Sequence, residues 1–244
     1  MLRHLQGSWE RHANNIQYLL INKYNQWAKE TERALMRAIR RGEPPQYLAG
    51  ILNHALEDLR GPLQGELRAG IMRSATLATG GPLAGWQFSP KALKALAERI
   101  AKSDMYVQQS LLPAIGESIL KHVEGGVDRE TIQAALGLQD SKIAQAAGQV
   151  WAAIGETQKA ALQGYQDEGK KVVPVRWELD PKAMHCQTSM KYGTFGCVTL
   201  AGTYMGGIDT LPTLPAANTT CGGNCRCHLS LSFDNGKTFK RYSS

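Results

Sequence analysis

Cysteine is missing from the first 185 residues, and only five occur in the whole 244-residue chain. A disulfide framework spread through the chain is therefore excluded, and at this length the core does not depend on cross-links. Aromatic residues make up only 7%, four of them phenylalanine, and no strand-like segment is rich in them. That argues against the stacking platforms that bind single-stranded nucleic acid. No apolar run approaches the roughly 18 residues that a membrane span requires. The opening residues, MLRHLQGSWERHANN, lack the apolar stretch and small-residue cleavage site of a secretory signal, so the chain is expected to be made in the cytoplasm. Phosphate-binding loops, dinucleotide fingerprints, nucleophile elbows and paired metalloprotease histidines are all missing, and no enzymatic role is expected. Acidic residues are also short: 21 against 28 lysines and arginines, a net charge of +7 and a pI near 9.2. Such a balance favours acidic partners.

The remaining composition, 43% hydrophobic and 20% charged, is that of a folded globular chain. Two kinds of periodicity divide it. Over residues 8–41, Ile16, Leu19, Leu20, Trp27, Leu35, Ala38 and Ile39 recur at spacings of three and four, which predicts a helix ended by RRGEPP. The first 41 residues carry eight basic and three acidic side chains. Arg33, Arg37, Arg40 and Arg41 crowd the end of this segment. They form either a solvated helical face or a basic arm for DNA or an acidic protein surface.

Further helices are expected over 46–60 and 62–77. Another starts at Ser89 as N-cap with Pro90 in the first turn, and Pro113 should kink or interrupt it. A short helix opens at Asp128, and a long one runs over 140–165. His4, His12, His54 and His122 have no spaced partners of ligand type and read as surface or core histidines.

Near residue 170 the period changes. Val172, Val173, Val175 and Trp177 predict a strand, with Pro174 at an edge or bend. In CHLSLSF, Cys227, Leu229, Leu231 and Phe233 alternate with His228, Ser230 and Ser232. Asn235-Gly236 then signals a hairpin that would pair 229–233 with 237–242. The expected fold is α+β: a mainly α-helical region over 1–170, followed by a small irregular, cysteine-rich β domain over 171–244.

All five thiols fall in that second region. Cys221 and Cys225 bracket a turn able to aim two sulfurs at one point. Cys186 with Cys197 would complete a structural zinc site, and His185 or Cys227 could substitute. The same spacing also admits one or two disulfides, or small buried thiols with no bond. A Cys–His dyad cannot be read from Cys227-His228, because strand neighbours point to opposite faces. The stretch NCRC suits a packing role. Asn224 would take a turn position, Cys225 and Cys227 would face inward, and Arg226 would hold a loop carbonyl or carboxylate.

The order of these signals resembles the C-terminal domain of phage head morphogenesis proteins of the Mu F-like minor head type. It comprises a strand bearing Trp177 (VRWELD), a cysteine-containing stretch (MHCQTSMKYG), a proline-rich approach (LPTLPAANTT), and a close on CGGNCRCHLSLSF. The likeness covers residues 171–233. Ser189 stands where many relatives carry the second cysteine of a Cys-x-x-Cys. The resemblance implies a structural minor head protein of a tailed phage, associated with the portal vertex or head interior, in several copies of a ring-like assembly. It would act in head assembly or in DNA packaging and delivery. The expected partners are the portal or major capsid protein and packaged DNA. The expected locations are the host cytoplasm during assembly and then the virion. The alternative reading is a zinc-stabilised nucleic-acid-binding protein.

Overall fold

A computed structural model of the chain describes residues 6–124, 128–180, 196–215, 219 and 227–241. It is 72% helical with one small antiparallel sheet near the C-terminus, so the α+β expectation holds. The helices are α1 (Gln6–Arg40), α2 (Pro45–Ala78), α3 (Pro90–Tyr106), α4 (Leu112–Glu124), α5 (Arg129–Gly137), α6 (Asp140–Ala146), α7 (Gly148–Asp167) and the single turn α8 (Cys197–Leu200). The strands are β1 (Val175–Glu178), β2 (Gly202–Tyr204) and β3 (His228–Leu231). No described helix is long and apolar enough to cross a membrane.

The chain divides by packing into two compact units. One comprises residues 1–13, 69–100 and 148–244, and the other residues 14–68 and 101–147. The change of periodicity near residue 170 marks a change of local structure. The sheet that follows it shares its unit, and its core, with α7.

In the second unit the helical spacing translates directly into burial. Ile16, Leu20, Tyr24, Trp27 and Leu35 of α1 are buried, as are Leu48, Leu52, Leu56, Leu59, Leu63 and Leu67 of α2. Two buried aromatic side chains are also tied by polar bonds: the Tyr24 hydroxyl donates to the Leu136 carbonyl at 2.6 Å, and Trp27 Nε1 donates to the Ala55 carbonyl at 2.5 Å. Ring centroids of Tyr24 and Trp27 lie 5.3 Å apart.

Three details differ from the sequence expectation. The two helices expected over 46–60 and 62–77 are one, α2, with Pro62 inside it. Pro62 and Gly61 are both exposed, so the carbonyl that loses its amide partner faces water, and Gly61 has no Cβ to clash with the proline ring. Buried Leu59, Leu63 and Leu67 hold the helix on either side. Pro113 does interrupt its helix, but upstream of itself: Val107–Leu111 form a π-helical segment between α3 and α4. The wider turn relieves the clash between a proline ring and the carbonyl four residues earlier. The helix expected over 140–165 is two, because Ala147 N–H turns to the Ala144 carbonyl at 3.2 Å and closes α6 before α7 starts.

Both predicted caps form. Ser89 Oγ accepts from the Ala92 amide at 3.2 Å, and Asp128 Oδ1 accepts from the Thr131 amide at 2.8 Å.

In the first unit α7 is buried nearly all round, and small residues let neighbours close on it. A Cβ on Gly164 would stand 3.1 Å from the Trp86 ring and 3.3 Å from Ser89 Oγ. A Cβ on Gly155 would stand 3.6 Å from Leu214. Arg99 of α3 clamps this helix through Glu156, with Nε donating to Oε2 at 2.8 Å and Nη2 to Oε1, while Nη1 donates to Gln149 Oε1 at 3.1 Å.

Candidate functional site

The sheet has the order β2-β1-β3, with both pairings antiparallel, so the strand bearing Trp177 is central. Val175 sits opposite Leu231, and Trp177 opposite Leu229. These four side chains point to one face. There they meet Leu83, Leu162, Val173, Cys197, Leu200, Ile208, Leu211 and Cys227 in one buried cluster. Trp177 is 1% exposed and is among the largest fully buried side chains of the molecule. Its indole N–H has no hydrogen-bond partner among the described residues, so the ring contributes as apolar bulk.

Of the sulfur-bearing candidates, Cys197 and Cys227 are described and both are buried. Cys197 opens α8, and Cys227 immediately precedes β3. They come together in the Trp177 cluster, an apolar setting. Cys186, Cys221 and Cys225, the substitute ligand His185, and the motif residues Asn224 and Arg226 lie outside the described residues. Among the described residues, no three His, Cys, Asp or Glu side chains gather as metal ligands would.

The opposite face of the sheet carries a polar arrangement that sequence reading missed. Glu178 and His228 are register partners, and His228 Nε2 stands 3.3 Å from Glu178 Oε2. That bond is the main cause holding the Glu178 carboxyl below its ordinary value; partial burial opposes it, while Ser230 and Arg176 act in the same direction. Arg176 reaches Thr203 Oγ1 at 3.1 Å and lies over the Phe239 ring at 4.0 Å from its centroid. His228, Ser230 and Ser232 were expected to face away from the core, yet all three are buried.

Residues 232–241 turn back alongside this end of the sheet. Asn235 and Gly236 both take positive φ, 62° and 86°, as the Asn-Gly hairpin signal requires. The return, however, is a single bridge and not a strand: Leu231 and Lys240 exchange backbone bonds of 2.8 and 2.9 Å. Asp234 holds the intervening loop by accepting from the Thr238 amide at 2.8 Å and from the Ser232 hydroxyl at 2.6 Å. Those bonds to its carboxylate hold its pKa far below the ordinary carboxylate range. Asp234 thus satisfies the loop locally, and no second strand is needed.

The cationic candidates lie in the other unit. Arg33, Arg37, Arg40 and Arg41 are all exposed at the end of α1, and Lys29 precedes them on the same face. From residue 29 to 41 the exposed positions are Lys29, Glu30, Arg33, Arg37, Arg40 and Arg41. At 100° per residue Lys29, Arg33, Arg37 and Arg40 span an arc of about 80° on α1, and Arg41 follows in the turn after it.

Of the histidines, His12 is buried and bonded through Nε2 to the Gly70 carbonyl at 2.9 Å; burial lowers its pKa. His122 is exposed, with Nδ1 2.7 Å from the Ser118 carbonyl, and His54 lies 4.0 Å from Asp58.

No family model, curated protein or solved structure matches the chain.

Proposed function

We propose that this chain is a structural, non-enzymatic minor head protein of a tailed phage. It would be held at the portal vertex or on the inside of the head, in several copies around a ring. One observation carries the reading. The strand bearing Trp177 is the centre of a compact sheet, and two cysteines that follow it in sequence, Cys197 and Cys227, are buried in the core that the tryptophan anchors. Among the described residues, the tryptophan strand, Leu211 of the proline-rich approach and the closing alternating strand share this core, which supports the reading because the resembling head proteins carry those signals in the same order. A core of packed thiols and aliphatics behind a closed loop suits a plug or anchor that gives shape. Its partners would be the portal or major capsid protein, met first in the host cytoplasm during assembly and retained in the virion.

The test is to tag the chain in infected cells, purify assembly intermediates and finished particles, and quantify it against the portal by mass spectrometry. A fixed ratio to the portal in both fractions is expected. Its absence from both would overturn the reading.

A further inference from the structure

We infer that the last third of α1 is a binding surface for the sugar-phosphate backbone of duplex DNA. The contacts come from Lys29, Arg33, Arg37, Arg40 and Arg41. The inference stands on this helix alone and does not require the head-protein reading.

The first observation is how the cations of this unit are partnered. Lys23, Arg60, Arg68, Lys121 and Arg129 each lie within 4.0 Å of a carboxylate, Lys142 donates to the Ala114 carbonyl at 3.0 Å, and Lys102 of α3 is exposed with no such partner among the described residues. Lys29, Arg33, Arg37, Arg40 and Arg41 have no such partner among the described residues. Glu32, the carboxylate nearest to Arg33 in sequence, is taken by Arg129 at 3.0 Å and by Gln133 at 2.8 Å. Five like charges are thus left on one face with only Glu30 among them, where self-repulsion opposes folding and an external polyanion would relieve it.

The helix dipole does not explain the whole row. Cations favour the last turn, which accounts for Arg37 and Arg40. Lys29 and Arg33 lie further back along the helix.

The makeup of the face selects the partner. Protein interfaces bury an apolar centre within a polar rim. From residue 29 to 41 no exposed position is apolar or aromatic, which leaves nothing for such a centre and nothing for bases to stack on. Four of the five cations are arginine, whose planar fork grips phosphate oxygens in pairs. From Lys29 to Arg40 they run for about 17 Å along the helix at 1.5 Å per residue, with Arg41 in the turn beyond, and duplex DNA presents one charge per roughly 1.7 Å of its axis. Recognition by charge alone implies no sequence preference.

The experiment is fluorescence anisotropy of the full chain with a short random-sequence DNA duplex between about 50 and 200 mM salt. Four to five phosphate contacts predict a slope of log affinity on log salt near −4, hence a loss of a few hundredfold, on the order of 100 to 500, across that range. A variant carrying Arg33→Gln, Arg37→Gln, Arg40→Gln and Arg41→Gln should lose between three and four from that slope, at about one per contact. Far-UV circular dichroism checks its fold. The corresponding four Arg→Lys changes keep the charge and should keep the slope. Lys170→Gln with Lys171→Gln, on the other unit, should change neither slope nor affinity. An unchanged slope in the folded four-glutamine variant would overturn the inference. So would binding of single-stranded oligonucleotide or polyglutamate as tight as that of the duplex at matched salt. A negative result here leaves the portal ratio of the preceding test untouched.

Discussion

The core around Trp177 and the core around Leu20 and Tyr24 reach the same degree of burial by different routes. In the helical unit the apolar side chains repeat along long elements. Leu52, Leu59, Leu63 and Leu67 alone fill one stripe of α2, and each is at most 1% exposed. In the sheet-centred unit the strands are three or four residues long, and one large ring occupies the middle of the cluster. A long stripe distributes its stabilisation over many similar groups, whereas a short sheet concentrates it. Single substitutions should therefore have unequal effects in the two units.

The largest effect is expected at Trp177. Trp177→Ala should cost about 3–5 kcal/mol, the range for emptying a large aromatic site. Urea unfolding followed by circular dichroism measures it. Trp177→Phe should recover more than half, because the indole N–H has no partner among the described residues to lose. A cost below about 1 kcal/mol for the alanine variant, within the range of surface changes, would show that the sheet does not depend on this ring.

The helical unit offers the next step down. Tyr24 is 0% exposed, and its hydroxyl donates to Leu136 across 112 residues of sequence. Burial also holds the phenol protonated well above its ordinary range. Tyr24→Phe keeps the ring and removes a buried bond, leaving the Leu136 carbonyl with the Gln139 amide at 3.3 Å, so a cost of about 1 kcal/mol is expected in the same assay. A neutral result would mean that the Gln139 amide alone satisfies that carbonyl. Smaller again is the cap of α3. Ser89→Ala removes the acceptor of the Ala92 amide and should cost about 1 kcal/mol, while Ser89→Asn should be nearly silent.

These cases also show what the sequence could reveal. Caps depend on a side chain and a backbone group three residues apart, so Ser89 and Asp128 were legible without knowledge of the rest. The helical stripes of α1 and α2 were legible because burial there follows a repeat of 3.6. The continuity of α2 was not, since a proline inside a helix is tolerated only when both flanking stripes are held, and that depends on packing. The alternation after Cys227 gave the strand and its inward face correctly. It could not reveal that His228, Ser230 and Ser232 are buried too, because burial of a strand's second face depends on what packs against it and not on the strand's own pattern. The register of β1 against β3 joins residues 50 apart, so the Glu178–His228 pair had no local signal at all. The cationic face was visible as composition. That its cations stand without carboxylate partners required the placement of Glu32 beside Arg129.

That cross-strand pair gives the finest comparison between the sheet's two faces, since it is the polar counterpart of the Trp177 cluster. Glu178 has its carboxyl held below its ordinary value, chiefly by the bond from His228. A group whose value is depressed on folding stabilises the fold above the value of the unfolded chain, about 4.3 for glutamate, and that contribution fades as the pH falls through the folded value. The side chain is about a third exposed, at 35%, so solvent screening keeps the effect small. The unfolding midpoint of the wild-type chain should therefore exceed that of Glu178→Gln at pH 6, and the gap should close as the pH is lowered towards 3. His228→Ala removes the leading cause, so Glu178 should then titrate closer to an ordinary glutamate, as carbon-detected NMR of its carboxyl would show. If the carboxyl titrates identically in that variant, its depression comes from Ser230 and Arg176, and the histidine is held there by packing alone.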